Sequence, residues 1–210
     1  DKAALMLKTL RDPTFRHLFA AQIVALLGTG LATVALGLLA WQLAGDNAGA
    51  VLGTALAIKM VAYVTLAPVA AAIAERLPRR AFLVALDMIR AGVIAFLPFV
   101  DQVWQVYVLI FFLQAASAGF TPAFQAVIPD VLKDEDDYTN ALSLLRLAED
   151  LEQLASPMLA AALLTVVSFP VLFAGTVAGF VASALLVVTA RLPERAVSDP
   201  GHFWADVTKG

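Results

Sequence analysis

Three long stretches of this sequence contain no Asp, Glu, Lys or Arg: between Arg16 and Asp46, between Asp101 and Asp130, and between Glu152 and Arg191. About 20 apolar residues in a helix cross the hydrocarbon core of a bilayer. A helix on the surface of a soluble protein needs a charged or polar face, which these stretches lack. The last stretch is too long for one helix. Ser168-Phe169-Pro170 divides it, since proline has no N–H to continue a helix and disfavours helix in the residue before it. Composition agrees: 61% of the 210 residues are hydrophobic and 15% charged, with mean hydropathy +0.84. Soluble domains run near 45–50% and 25%. Water cannot solvate this excess of apolar surface, but lipid can. Without cysteine, disulfides, thiol catalysis and thiolate metal sites are excluded. The N-terminus lacks the apolar run and small-residue cleavage site of a signal peptide. The chain starts without Met and stops at Gly210 in a polar segment, which reads as part of a longer protein.

The pattern predicts an all-α membrane protein, a bundle of six transmembrane helices over residues 17–191. A cytoplasmic segment, 1–16, precedes it and the start of a cytoplasmic linker, 192–210, follows. The spans are His17–Leu43, Val51–Ala74, Ala81–Phe99, Trp104–Thr121, Thr139–Val167 and Pro170–Ala190. Gly45 to Gly49 turns the chain after the first span, Glu75 to Arg80 forms a basic loop, and Pro122 to Tyr138 is a longer polar connection. On this count Lys2, Lys8, Arg11, Arg16, Arg76, Arg79, Arg80, Lys133, Arg191, Arg195 and Lys209 all fall on one side. The other side has no Lys or Arg, so both termini are expected in the cytoplasm. Ala3 to Leu10, and Phe203, Trp204 and Val207 in the tail, either lie along the membrane surface or are ordinary linkers.

The loop after the second span carries a family resemblance. Ala71-Ala72-Ile73-Ala74-Glu75-Arg76-Leu77-Pro78-Arg79-Arg80 resembles the signature between helices 2 and 3 of the major facilitator superfamily, with Ala71 for the usual glycine and Glu75 for the usual aspartate. An acid and several guanidinium groups at a helix end can latch neighbouring helices. Thr14-Phe15-Arg16-His17-Leu18-Phe19, with Gln22 and Leu27-Gly28-Thr29-Gly30, is similar to the opening of the drug- and siderophore-exporter branch. So are Thr121-Pro122-Ala123-Phe124, Ile128-Pro129-Asp130, Asn140-Ala141-Leu142 and Ser156-Pro157-Met158-Leu159-Ala160, with Ser156 in the place of a glycine. The resemblance implies the N-terminal six-helix half of a transporter, an inverted three-plus-three repeat, in a bacterial inner membrane, with a second six-helix lobe as partner. It implies proton-coupled efflux by alternating access. Pro68 and Pro157, about 17 and 18 residues into the second and fifth spans, match the repeat. Branch members often carry an acid where Thr29 stands, so coupling here is expected elsewhere.

Charges held at depth cost at least about 2.5–3.5 kcal/mol each and must face the protein interior, a partner or water. In the fifth span Arg146, Glu149, Asp150 and Gln153 share one helical face, while Glu152 points away. Arg146 can pair with Glu149 or Asp150, which leaves acids in surplus. The functional reading is proton coupling or cation binding, led by Glu149 and Glu152 over Asp150. The structural reading is an ion-pair cluster. Lys59, roughly 13 Å into the second span at about 1.5 Å per residue, either meets an anionic substrate group or an acid, or forms a structural salt bridge. Asp87 and Arg90 can pair and read as structural or gating residues. They join Glu75, Arg76, Arg79 and Arg80 in a gating set. Gln22, Gln114 and Ser117 suit substrate contact, or, more in keeping with membrane helices, hydrogen bonds between helices. Gly175, Gly179 and Ser183 form a small-residue stripe for close packing.

Other chemistries are excluded or weak. Asp134-Glu135-Asp136-Asp137 lacks the alternation and glycine of a calcium loop and reads as a helix start, so no metal is expected. No nucleophile–base pair or two-histidine zinc motif is present, so no enzyme and no cofactor is expected. The basic residues are spread along span borders, which argues against nucleic acid. The expected partners are the bilayer, the second lobe, protons and a small-molecule or ion substrate. Drugs, siderophores and metal cations stay open, with the acidic fifth span tilting toward cations. The alternative is a six-span scaffold, or a half-size protein acting through pairing.

Overall fold

The computed structural model describes residues 2–193, and all its regular structure is helical. A short helix α1 (Lys2–Lys8) precedes six long ones: α2 (Pro13–Ala44), α3 (Ala48–Ala74), α4 (Arg79–Ala95), α5 (Val103–Val131), α6 (Glu135–Leu164) and α7 (Phe169–Thr189). Four stretches are long and apolar enough to cross a membrane: Pro13–Ala74, Arg79–Phe99, Val103–Val131 and Phe169–Thr189. The first contains both α2 and α3, so five of the long helices qualify. α6 does not, because Arg146, Glu149, Asp150 and Glu152 interrupt its apolar run. The tail residues Arg195, Phe203, Trp204, Val207 and Lys209 lie outside the described residues, as does most of the expected linker.

Local signals set the helix ends. The Asp12 carboxylate accepts from the Phe15 amide at 2.8 Å and starts α2, with Pro13 in the first turn where its missing N–H costs nothing. The turn after α2 is tighter than Gly45 to Gly49. A single 3₁₀ turn, Gly45–Asn47, suffices, and only Gly45 takes a positive φ, of 55°. α4 ends at Ala95 and a 3₁₀ turn with Pro98 at its centre follows. The Asp134 carboxylate accepts from the Asp136 and Asp137 amides at 3.0 and 3.1 Å, so the acidic run starts α6, as its composition suggests. Phe169 and Pro170 open α7.

The expected connection from Pro122 to Tyr138 is a correction. α5 continues through Pro122 and Pro129 to Val131, and only residues 132–134 link it to α6. Phe124, Val127 and Ile128 are fully buried, so packing holds the helix where the prolines weaken it. Prolines persist in membrane helices when neighbouring groups satisfy the freed backbone. Arg79 also ties this stretch down by donating to the Ala126 carbonyl, in the turn that contains Pro129.

The helices alternate in direction. His17 bonds Thr189 at 2.8 Å, Arg80 donates to the Ala190 carbonyl at 2.7 Å, Arg79 pairs with Asp130, and Lys8 lies 4.0 Å from Asp137. These contacts gather the starts of α2, α4 and α6 and the ends of α5 and α7 at one basic end. The main packing pairs are α2 with α6, α7 and α5, α3 with α5, and α4 with α5 and α7. Two apolar clusters fill the interior. One, toward the basic end, includes Phe15, Leu18, Leu83, Phe124 and Leu145. The other, toward the opposite end, includes Leu36, Ile94, Leu113 and Phe173. Outside, Val64, Leu154, Met158 and Val166 are largely bare, an outward apolar surface that suits lipid and not water. In α1, Met6 packs on the first cluster while Leu5 and Leu7 stay exposed.

Candidate functional site

A buried polar layer separates the two apolar clusters. On α4, Asp87 and Arg90 sit one turn apart and pair. Both are almost wholly buried. Ser183 of α7 donates to the second Asp87 oxygen at 2.7 Å, with the Ala21 carbonyl at 3.1 Å as its alternative acceptor. The Arg90 guanidinium lies 4.2 Å from the Phe120 ring centre and 4.9 Å from that of Phe180. Its Nη1 reaches the Thr29 hydroxyl at 3.3 Å. Arg90 therefore ties α4 to α2, α5 and α7.

The layer opens into a cavity of about 660 Å³. α2 lines it with Gln22, Thr29, Gly30 and Thr33, α3 with Lys59, Met60 and Tyr63, and α4 with Arg90. α5 adds Gln114, Ser117 and Phe120, and α6 adds Arg146, Glu149, Glu152, Gln153 and Ser156. Gln114 donates to Thr33 at 3.3 Å, and Thr33 bonds back to the Thr29 carbonyl at 2.7 Å. Gln22 Oε1, Gln114 Oε1, Ser117 Oγ and Arg90 Nε are buried without a hydrogen-bond partner. All four residues border the cavity, although these particular atoms are buried behind its surface.

On α6, Arg146 lies 3.6 Å from Glu149 and 3.8 Å from Asp150, the two pairings its spacing predicts. The shared face does not hold together as expected. Asp150 is half exposed and absent from the cavity wall, whereas Glu152, expected to point away, is on it. The reason is how α6 leans on α2. Glu152 accepts from Ser156 at 2.6 Å, and the two press against Gly30. A Cβ at Gly30 would overlap the Glu152 carboxylate and the Ser156 hydroxyl, so only glycine permits this approach.

Of the sequence candidates, Lys59, Arg146, Glu149, Glu152, Gln22 and Gln114 meet in one cavity, joined by Arg90. Arg79 of the basic loop pairs with Asp130 of α5 and not with Glu75, and Arg80 donates to the Ala190 carbonyl after α7. Glu75 and Arg76 are exposed at the turn between α3 and α4. The Gly175, Gly179 and Ser183 stripe packs against α2 only in part, through Gly179 beside Val24 and the buried Ser183 beside Ala21. Nothing lies within 4 Å of a Cβ built at Gly175, and Ser183 serves Asp87. The tight crossings are at Gly28 against Phe180, Gly30 against α6, and Gly119 against Ala70. Tyr63 was not singled out, yet it lines the cavity within Coulombic reach of Arg90, Glu149 and Glu152. Its place one turn from Lys59 on α3 was the available signal.

A sequence model of the Major Facilitator Superfamily matches residues 18–207, nearly the whole chain. The chain belongs to this superfamily. No curated protein matches it. Superfamily members are transporters, so this is an integral membrane protein of transport, not of catalysis, and its cavity is to be read for solute binding. The match begins inside α2, and every cavity-lining residue falls within it.

Proposed function

We propose that the chain is one six-span lobe of a proton-coupled secondary exporter, with α6 as its fifth span and a second six-helix lobe facing the cavity. The observation that carries this is the cavity itself. It gathers Lys59, Arg146, Glu149 and Glu152 from the middle of their helices and the buried Arg90 from the second half of α4, where an unneeded charge is expensive. A sixth crossing by α6 keeps the alternation of helix directions and keeps the basic end on one side. The packing supports an inverted repeat. Exchanging α2 with α5, α3 with α6 and α4 with α7 turns the α2–α6 contact into α5–α3 and the α2–α7 contact into α5–α4, while α2–α5 and α4–α7 map onto themselves; the α2–α3 contact maps onto a weaker α5–α6 contact. The basic end faces the cytoplasm of a bacterial inner membrane in this reading. Export of a small molecule or ion follows from the exporter-branch resemblance of Thr14 to Phe19 and of Thr121 to Phe124.

Glu149 and Glu152 are the proton carriers in this scheme. Glu149 shares Arg146 with Asp150, and Glu152 has only a serine hydroxyl, so neither is locked by a dedicated cation. The full-length protein in proteoliposomes, given a pH gradient, is expected to exchange protons for solute. Glu149→Gln with Glu152→Gln is expected to abolish the proton flux while the protein stays folded. Coupled flux that survives the double substitution sinks the assignment.

A further inference from the structure

The charges around the cavity are sorted by wall. α3 brings Lys59 and Tyr63 to the lining, α4 brings Arg90, and Ser117 of α5 borders the same wall. Asp87 is the acid paired there, and it sits behind Arg90, off the lining, held by Arg90 and Ser183. Lys59 makes no ion pair among the described residues. Arg90 Nε and Ser117 Oγ are buried groups with no partner. That wall therefore holds one cation in excess and unused donors. α6 carries the opposite sign: Arg146 is set against Glu149, Asp150 and Glu152, which leaves acid in excess.

Opposite charges in a low-dielectric space attract strongly and close up when nothing prevents it. Here they do not. Among the described residues every ion pair at the cavity closes within a single helix, Asp87 with Arg90 on α4 and Arg146 with its neighbours on α6. None crosses from the Lys59 wall to the α6 wall within 4.0 Å. α3 packs on α5 and α6 packs on α2, so the framework holds the walls apart. A solute with one charge leaves one wall unanswered. A cation at Glu149 and Glu152 leaves Lys59 bare, and an anion at Lys59 faces the carboxylates.

We propose that the cargo is a small zwitterion, with its anionic group on Lys59 and Arg90 and its cationic group on Glu149 and Glu152. This deepens the transporter reading and rests on it. The cavity volume, about 660 Å³, lies within the range of about 300–1,000 Å³ usual for small-molecule sites. Met60 and Phe120 offer apolar surface for the body of such a solute.

Binding to the full-length protein in nanodiscs, measured without any gradient, tests this. The probes are matched sets: phenylalanine, leucine and β-alanine, each with its methyl ester and its N-acetyl form. At least one zwitterion is expected to bind about tenfold more tightly than both of its singly charged forms. Lys59→Gln lowers that zwitterion to the level of its ester, and Glu149→Gln with Glu152→Gln lowers it to the level of its N-acetyl form. Lys59→Arg retains the discrimination, which separates charge from misfolding. An ester or N-acetyl form that binds as tightly as its zwitterion overturns the proposal. So does a set in which no zwitterion binds, or discrimination that survives loss of Lys59. Flux is measured separately in proteoliposomes. Zwitterion binding without flux upholds this inference and refutes transport. Flux of a singly charged solute that is indifferent to Lys59 does the reverse.

Discussion

Arg90 is the most committed residue in the molecule. Asp87, Thr29, Phe120 and Phe180 all meet it, and both members of the ion pair are almost wholly buried. Arg90→Ala strands the Asp87 charge, and breaking a buried pair in this way costs about 3–5 kcal/mol. Asp87→Asn combined with Arg90→Gln removes both charges and is expected to recover part of that loss, read as the unfolding midpoint in detergent. Gly30 is as constrained for a steric reason. Ser156 Cβ lies 2.6 Å from the place a Gly30 side chain would occupy. Gly30→Ala drives α2 and α6 apart at an expected cost of about 1–3 kcal/mol. Gly28→Ala meets only the edge of the Phe180 ring, at 3.2 Å, and is the milder change by the same measurement. The Asp87–Arg90 pair was legible from a spacing of three on a helix. Gly30 was not, because its constraint comes from a helix more than a hundred residues later.

Element ends show where sequence reading succeeds and where it stops. Asp134 marks the start of α6, since a capping carboxylate acts within three residues, whereas α2 starts at Pro13 behind its cap Asp12, ahead of the His17 expected. The end of α5 was illegible. Pro122 and Pro129 signal a break locally, and the tertiary contacts of Phe124, Ile128 and Arg79 override it. Arg79 joins the start of α4 to the last turns of α5 through both Asp130 and the Ala126 carbonyl. Arg79→Ala is expected to cost about 1.5–3 kcal/mol, the range for hydrogen bonds to charged groups. Faster amide exchange confined to the last turns of α5 is the measurement that checks it. Arg80→Ala, which gives up one bond to the Ala190 carbonyl, should loosen the end of α7 instead. The face of α6 was half legible: helical spacing gave the Arg146 pairings, but the tilt that brings in Glu152 and leaves out Asp150 depends on Gly30.

For the whole molecule, the placement of Lys and Arg foretold that helix ends from distant parts of the sequence meet at one basic end. The sorting of the interior charges onto separate walls was not legible, since it depends on which helices pack together. These 210 residues contain no cysteine, so single-cysteine variants among them report sidedness once any cysteine elsewhere in the protein is replaced. Ala50→Cys and Leu77→Cys sit at exposed positions at opposite ends of α3. In intact cells a membrane-impermeant maleimide is expected to label the first and spare the second. The reverse pattern turns the lobe over in the bilayer.

The salt bridges that join elements, Arg79 with Asp130 and Lys8 with Asp137, both lie at the basic end. At the far end the described residues rely on apolar contact around Leu36, Leu97 and Phe173. A lobe fastened along one edge resists mechanical load unevenly. Pulled from its far loops, it should peel open helix by helix at low force, and pulled from the fastened edge it should hold until several bonds fail together.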